Sequence, residues 1–382
     1  MSRVVSPARM RVVMRNDRIR IKQTFPGNDT VRNHAGHGAR WVVGLGAAAM
    51  TPPVIISTLA ARLRNRPDTD AGEILSENLG EKGRYIESFD GARIYTEELG
   101  RGPTVVLVHG WFCNTDMWHF QKKELAGRYR LVCFDQRGHR RSECPDGKPF
   151  TLEAMAGDLR KVVDTYASDG PVVLVGHSMG GMSILKYAEM YPDELGSRVR
   201  GIALVDTSDS PMDDTLLGGT ALRYIRRPLV EPIFRFAVEH AGAAERMKQA
   251  VIGTSPFLVA TRYLGYGSGA SLTQLQYISE MVEKTSMKGA SLAGLGLFGY
   301  DRPTSLDPVR RSGIPVLIWV GEKDKLTRPK VSMRMHAELP ASELHVVPDT
   351  GHPSCMEVYR TFNRVLREFA DRSFEWNSEG DG

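Results

Sequence analysis

Val172-Val173-Leu174-Val175-Gly176-His177-Ser178-Met179-Gly180-Gly181-Met182-Ser183-Ile184-Leu185 divides into three parts. Its opening run is apolar and mostly β-branched, which predicts a strand buried on both faces. Gly176 to Gly180 predicts a sharp turn, and the apolar spacing beyond Met182 predicts a helix. A turn this tight strains its central residue and brings strand and helix close together, so its neighbours must be small. Gly176, Gly180 and Gly181 meet that need. Ser178 is then expected above the carboxyl end of the strand, with the N–H groups of the helix start aimed at the same point. A G-x-S-x-G pattern is short enough to arise by chance, so its surroundings must decide what it means.

Outward from this stretch the chain alternates. Residues 84–88 and 93–97, joined through Asp90-Gly91, predict an antiparallel hairpin. Thr104-Val105-Val106-Leu107-Val108 and Leu131-Val132-Cys133-Phe134 predict buried strands. Thr151 is the expected N-cap of a helix over 155–166, and 199–205 predicts a further strand. Such alternation specifies a mostly parallel sheet with helices on both faces, an α/β fold that binds ligands at the strands' carboxyl ends. Between 208 and 300 the pattern is helical only, and strands resume over 314–320 and 344–347. A helical insertion is expected there, read as a cap over the site; an unrelated interaction domain is the alternative. Gly294-Leu295-Gly296-Leu297-Phe298-Gly299 imitates a dinucleotide motif, but no strand precedes it.

The formal charge of +5 over 382 residues is unevenly placed. Residues 1–66 carry twelve Lys/Arg against Asp17 and Asp29, a net of +10, which leaves the remainder near −5. A basic head on an acidic body argues against nucleic acid as a partner of the body and for an arm that meets an anionic surface. Residues 41–61 carry no charge and approach the length of a membrane helix, though Pro52-Pro53 interrupts them. An uncleaved anchor or interfacial segment is expected over 41–64, making the protein membrane-associated and otherwise cytoplasmic; an apolar helix packed on the body is the alternative. Within this segment, Gly44-Leu45-Gly46 and Ala49 imitate a dinucleotide motif that Pro52-Pro53 would cut short. His34 and His37 have ligand-like spacing but no partners nearby, and Cys113, Cys133, Cys144 and Cys355 form no C-x-x-C pair. Neither structural metal nor disulfides are implied.

An activated serine needs a base, and the base needs a carboxylate. Gly321-Glu322-Lys323-Asp324 and Asp349-Thr350-Gly351-His352 follow predicted strands, giving the order Ser178, Asp324, His352 that such sheets display. Asp206, at the end of the 199–205 strand, is the rival acid; Asp349 lies too near His352 and reads as a turn residue. His109, His177 and Cys355 read as structural.

From about 84 to 371 the chain resembles the α/β-hydrolase superfamily, capped esterase/lipase type. The resemblance rests on His109-Gly110-Trp111, Asp135-x-Arg137-Gly138, Gly176 to Gly180, Gly321-x-x-Asp324 and Gly351-His352, in order and at strand ends. It departs at Arg140, where the family pattern has a glycine, so that loop is expected to differ in shape. The resemblance implies acyl transfer on a small-molecule or lipid ester. Ser178 is the implied nucleophile, with His352 as base and Asp324 as acid. The backbone N–H groups of Trp111 and Met179 form the implied oxyanion hole, and no cofactor is implied. A serine at the elbow argues against the branches that use a carboxylate there, epoxide hydrolases and dehalogenases. C–C bond hydrolysis, lactone opening, cofactor-free perhydrolysis and a non-catalytic receptor stay open. The implied division is a basic tail (1–40), an apolar segment (41–64), a linker (65–83), core (84–207), cap (208–300), core (301–372) and a polar tail (373–382).

Overall fold

A computed structural model describes residues 53–65, 71–80, 82–143, 145–168, 170–211, 229–300 and 303–376. The basic tail, residues 41–52 of the apolar segment, His34, His37, Cys144 and the polar C-terminal tail from 377 lie outside the described residues.

Eight strands form one sheet: β1 (Lys82–Glu87), β2 (Arg93–Leu99), β3 (Thr104–Val108), β4 (Arg130–Phe134), β5 (Val172–His177), β6 (Val199–Val205), β7 (Val316–Gly321) and β8 (Glu343–Val347). Their spatial order is β1-β2-β4-β3-β5-β6-β7-β8. The pairs β1/β2 and β2/β4 are antiparallel and the rest parallel. Charged Lys82 and Arg84 lie on the exposed outer strand β1, which discourages edge-to-edge pairing.

The apolar strands divide their side chains between two cores, because alternate residues face opposite ways. Val106, Val132, Leu174, Leu204 and Ile318 pack with Leu159, Val163, Ile184 and Met335 from helices on one face. Val105, Leu131, Val173, Ala203 and Trp319 pack with Phe120, Phe362, Leu366 and Phe369 from helices on the other. Full burial of each large apolar side chain contributes roughly 1.5–3 kcal/mol, so the sheet is the thermodynamic centre of the fold.

Chain connections leave β3 towards β4 on one side and reach β5 on the other, so the loops after β3 and β5 face each other across the switch point. The turn after β5 is as close as the sequence predicts. A Cβ on Gly180 would lie 2.2 Å from the Val108 carbonyl oxygen, and one on Gly176 would lie 2.6 Å from the Gly181 nitrogen.

Between β6 and β7 the described residues are helical. Helices Glu231–Glu239, Ala241–Val251, Ser255–Gly265, Leu272–Lys284 and Met287–Gly299 form the insertion. Ser271 and Gln274 cap the fourth of these reciprocally. Thr151 caps the helix Leu152–Tyr166 by accepting from the Ala154 N–H.

Four expectations need correction. The described part of the apolar segment, Pro53–Arg64, is a helix laid on the insertion. Leu63 packs with Leu258, Tyr266 and Leu275, and Arg64 donates to Ser255 Oγ at 3.1 Å. Among the described residues no helix is long and apolar enough to cross a membrane. The linker contains a helix, Ala71–Leu75, whose Ala71 and Leu75 are buried. At Arg140 the loop adopts the left-handed conformation that glycine favours, φ 43°, with the guanidinium paired to Asp116 at 2.7 Å. The closing helix runs Tyr359–Glu375, three residues past the expected boundary.

Candidate active site

Ser178 has φ 51° and ψ −121°, a strained conformation for a residue with a side chain. Its N–H donates to the Val205 carbonyl at 3.0 Å, and its own carbonyl accepts from Thr207 Oγ1 at 2.6 Å. Those two bonds tie the elbow to the end of β6.

Loops after β7 and β8 bring two more side chains to the serine. Nε2 of His352 lies 2.9 Å from Ser178 Oγ, and Nδ1 lies 2.9 Å from Asp324 Oδ2. A carboxylate only accepts, so Nδ1 carries the proton and Nε2 presents its lone pair to the serine hydroxyl. Asp324 is held by three donors besides the imidazole. Oδ1 accepts from the Leu326 and Thr327 N–H groups at 2.8 and 2.9 Å, and Oδ2 from Thr327 Oγ1 at 2.8 Å.

The rival acid stands elsewhere. Asp206 accepts from the Gly321 N–H at 2.9 Å, the Ser354 N–H at 3.0 Å and Ser354 Oγ at 2.6 Å, so it braces the loops that carry Asp324 and His352. Burial, with the Asp324 carboxylate nearby, pushes its carboxyl well above the usual range. Asp349, with φ 61°, is a turn residue paired with Lys323.

The neighbouring histidines bond to backbone groups of the adjoining loops. His177 donates through Nε2 to the His352 carbonyl at 3.1 Å, and burial together with the His352 ring lowers its pKa well below the ordinary value. His109 accepts from the Gln136 N–H at 2.9 Å, so it fastens the loop after β3 to the loop after β4; burial keeps it neutral as well. Cys355 is fully buried at the start of the short helix Ser354–Glu357.

The loop after β3 comes so near the elbow that a Cβ on Gly110 would lie 3.1 Å from Ser178 Cβ. Next to it is the Trp111 N–H; Met179 begins the helix after the serine. Among the described residues neither N–H has a hydrogen-bond acceptor. The Trp111 indole donates to the Ala290 carbonyl of the insertion at 2.7 Å, which bolts this loop to the insertion.

Ser178 and His352 open into a cavity of about 430 Å³ between sheet and insertion. Met117, Met179 and Met182 line it from the core, and Ile278, Val282, Leu297 and Phe298 from the insertion. Among the described residues no Asp, Glu, Lys or Arg lines it.

Thr327 escaped the sequence reading, although Asp324 followed three residues later by a threonine is the spacing of a local side-chain turn. Glu357 escaped it too. Its carboxylate accepts from the Gly267 and Gly351 N–H groups, the first of them 90 positions away, a contact without local signature.

A model of the alpha/beta hydrolase family matches residues 105–365. AB hydrolase superfamily protein YisY of Bacillus subtilis is 22% identical over 76% of this chain and 99% of that protein. A thermophilic esterase from Thermogutta terrifontis superposes with a TM-score of 0.58 at 27% identity, covering 77% of this chain and 99% of the other. The esterase EaEST from Exiguobacterium antarcticum superposes with a TM-score of 0.60 at 23% identity, over 76% and 100% of the two chains. With more than half of its residues matched by that model, the chain belongs to the alpha/beta hydrolase family.

Proposed function

We propose that this hydrolase cleaves carboxylic esters through an acyl-enzyme on Ser178. The observation that carries this reading is the hydrogen-bonded chain Ser178 Oγ, His352 Nε2, His352 Nδ1, Asp324 Oδ2, with both links at 2.9 Å, opening into a cavity whose described lining is largely apolar.

Ser178 Oγ attacks the ester carbonyl while His352 Nε2 takes its proton. The imidazolium that forms is stabilised by Asp324, which three further donors hold in place. The Trp111 and Met179 N–H groups receive the developing oxyanion, each such donor contributing typically about 2.7–4 kcal/mol to the transition state. His352 then returns its proton to the leaving alcohol. Water, activated by the same imidazole, releases the acid and regenerates the serine.

The insertion acts as a cap and selects the substrate. A cavity of about 430 Å³ with methionine, aliphatic and aromatic walls favours a moderately lipophilic acyl or alcohol group of a small-molecule or lipid ester, and it disfavours charged groups, whose desolvation no charged side chain among the described lining residues offsets.

The test is turnover of p-nitrophenyl butyrate by the purified protein and by Ser178→Ala. The variant is expected to lose turnover by roughly 10⁵–10⁶-fold, as in other enzymes stripped of a serine nucleophile. Retained turnover in a folded variant would overturn the assignment.

A further inference from the structure

His352 sits on a loop whose backbone the insertion also holds. The His352 N–H donates to the Gly265 carbonyl at 2.6 Å, and the Ser268 N–H donates to the Asp349 carbonyl at 3.0 Å. The two segments meet backbone to backbone: a Cβ on Gly267 would lie 1.8 Å from the Asp349 oxygen, and one on Gly351 would lie 2.2 Å from the Gly265 oxygen. One carboxylate joins both sides of this contact. Glu357 Oε1 accepts from the Gly351 N–H at 2.6 Å and from the Gly267 N–H at 3.1 Å, and Oε2 accepts from the Gly267 N–H at 3.0 Å.

We propose that Glu357 is a positioning residue that clamps the insertion to the histidine loop and thereby sets the aim of the His352 imidazole at Ser178. The inference rests on the reading of Ser178, His352 and Asp324 as the catalytic triad.

Gly351 immediately precedes His352, so the Glu357 bond fixes the peptide from which the imidazole departs. Burial raises the Glu357 carboxyl to about 7 against the pull of the two N–H donors and Arg262, with Asp324 adding to the rise. In such a poorly solvated place a hydrogen bond is stronger than in water and its loss is not made good by solvent. The helix that Glu357 ends is also held from the insertion, since Gln274 Nε2 donates to the Met356 carbonyl at 2.8 Å. Reach of the imidazole therefore depends on closure of the insertion over the core.

The experiment compares the full-length protein with Glu357→Ala and Glu357→Gln in three readouts: kcat and KM for p-nitrophenyl butyrate, thermal midpoint, and the downfield NMR resonance of the His352 Nδ1 proton. Glu357→Ala leaves two buried N–H groups without an acceptor. It is expected to lower kcat about 10- to 100-fold, the scale of an ångström-sized misplacement, with KM nearly unchanged. The Nδ1 resonance is expected to shift or broaden at temperatures far below the midpoint. Glu357→Gln keeps one oxygen for Gly351 but turns an amide N–H towards Gly267, so it is expected to recover part of both signals. Should Glu357→Ala not fold, Glu357→Gln alone carries the same comparison. Wild-type kcat and an unchanged resonance in a folded variant would overturn the inference and leave the esterase reading standing. An inactive wild type would instead overturn the esterase reading, and the resonance would still decide the role of Glu357.

Discussion

Replacing Asp324 by Asn keeps the shape of the acid and changes one atom's hydrogen-bonding character. The Leu326 and Thr327 N–H groups both point at Oδ1, so the amide oxygen of Asn must take that place. Its NH2 then falls at Oδ2, facing His352 Nδ1 and Thr327 Oγ1. A donor there requires a lone pair on Nδ1, which moves the imidazole proton to Nε2 and aims it at Ser178 Oγ. The base can no longer accept from the serine. In serine proteases this tautomer error costs about 10⁴ in kcat, close to 5 kcal/mol at about 1.36 kcal/mol per decade. The fold should survive, because both backbone N–H groups keep their acceptor and the Coulombic pressure of Asp324 on buried Asp206 is relieved. The assay is kcat/KM for a p-nitrophenyl ester near neutral pH, beside the thermal midpoints of both proteins. A folded Asp324→Asn protein within tenfold of wild type would refute the argument that Asp324 orients His352.

Three further outcomes follow from the same geometry. Asp206→Ala leaves the Gly321 and Ser354 N–H groups and the Ser354 hydroxyl without an acceptor; at about 1–3 kcal/mol per unpaired buried group, denaturant titration should show a loss of at least ~2 kcal/mol, with a smaller kcat loss than Asp324→Asn. Gly180→Ala places a methyl 2.2 Å from the Val108 carbonyl oxygen and 2.7 Å from that of His109, backbone atoms that cannot swing aside, so soluble yield and thermal midpoint should collapse. Burial pushes the Cys113 thiol up to about 12 and raises Cys355 as well, so at about pH 8 both stay protonated and resist iodoacetamide until the protein is denatured. Mass spectrometry of native and unfolded samples reads that difference directly.

Much of this arrangement is legible in the sequence because it depends on short-range pattern. Each uninterrupted apolar run became a central strand, since parallel strands are covered on both faces and need no polar alternation. Ser178, Asp324 and His352 were readable because each follows such a run. The carboxylate directly after β6 was the source of ambiguity; only the distances separate Asp324, which meets the imidazole, from Asp206, which meets Ser354 and the Gly321 N–H. What stayed hidden depends on contacts between remote segments. Leu63 buries against Leu258 and Leu275, so an apolar segment that reads as a lipid helix is in part a packing helix. Composition carries no information on which apolar partner a helix finds. Ala71–Leu75 is too short to show a period, and its burial comes from the surfaces it meets. Arg140 shows that a non-glycine residue can hold a left-handed turn where an ion pair secures it.

The central claim is that His352 activates Ser178, and covalent labelling tests it most directly. Native protein is treated with a fluorophosphonate, digested and mapped by mass spectrometry, alongside His352→Ala. A single adduct on Ser178, formed rapidly by the wild type and nearly absent from the folded variant, is the predicted result. Native protein that stays unlabelled, or a His352→Ala variant that labels at the wild-type rate, would contradict it.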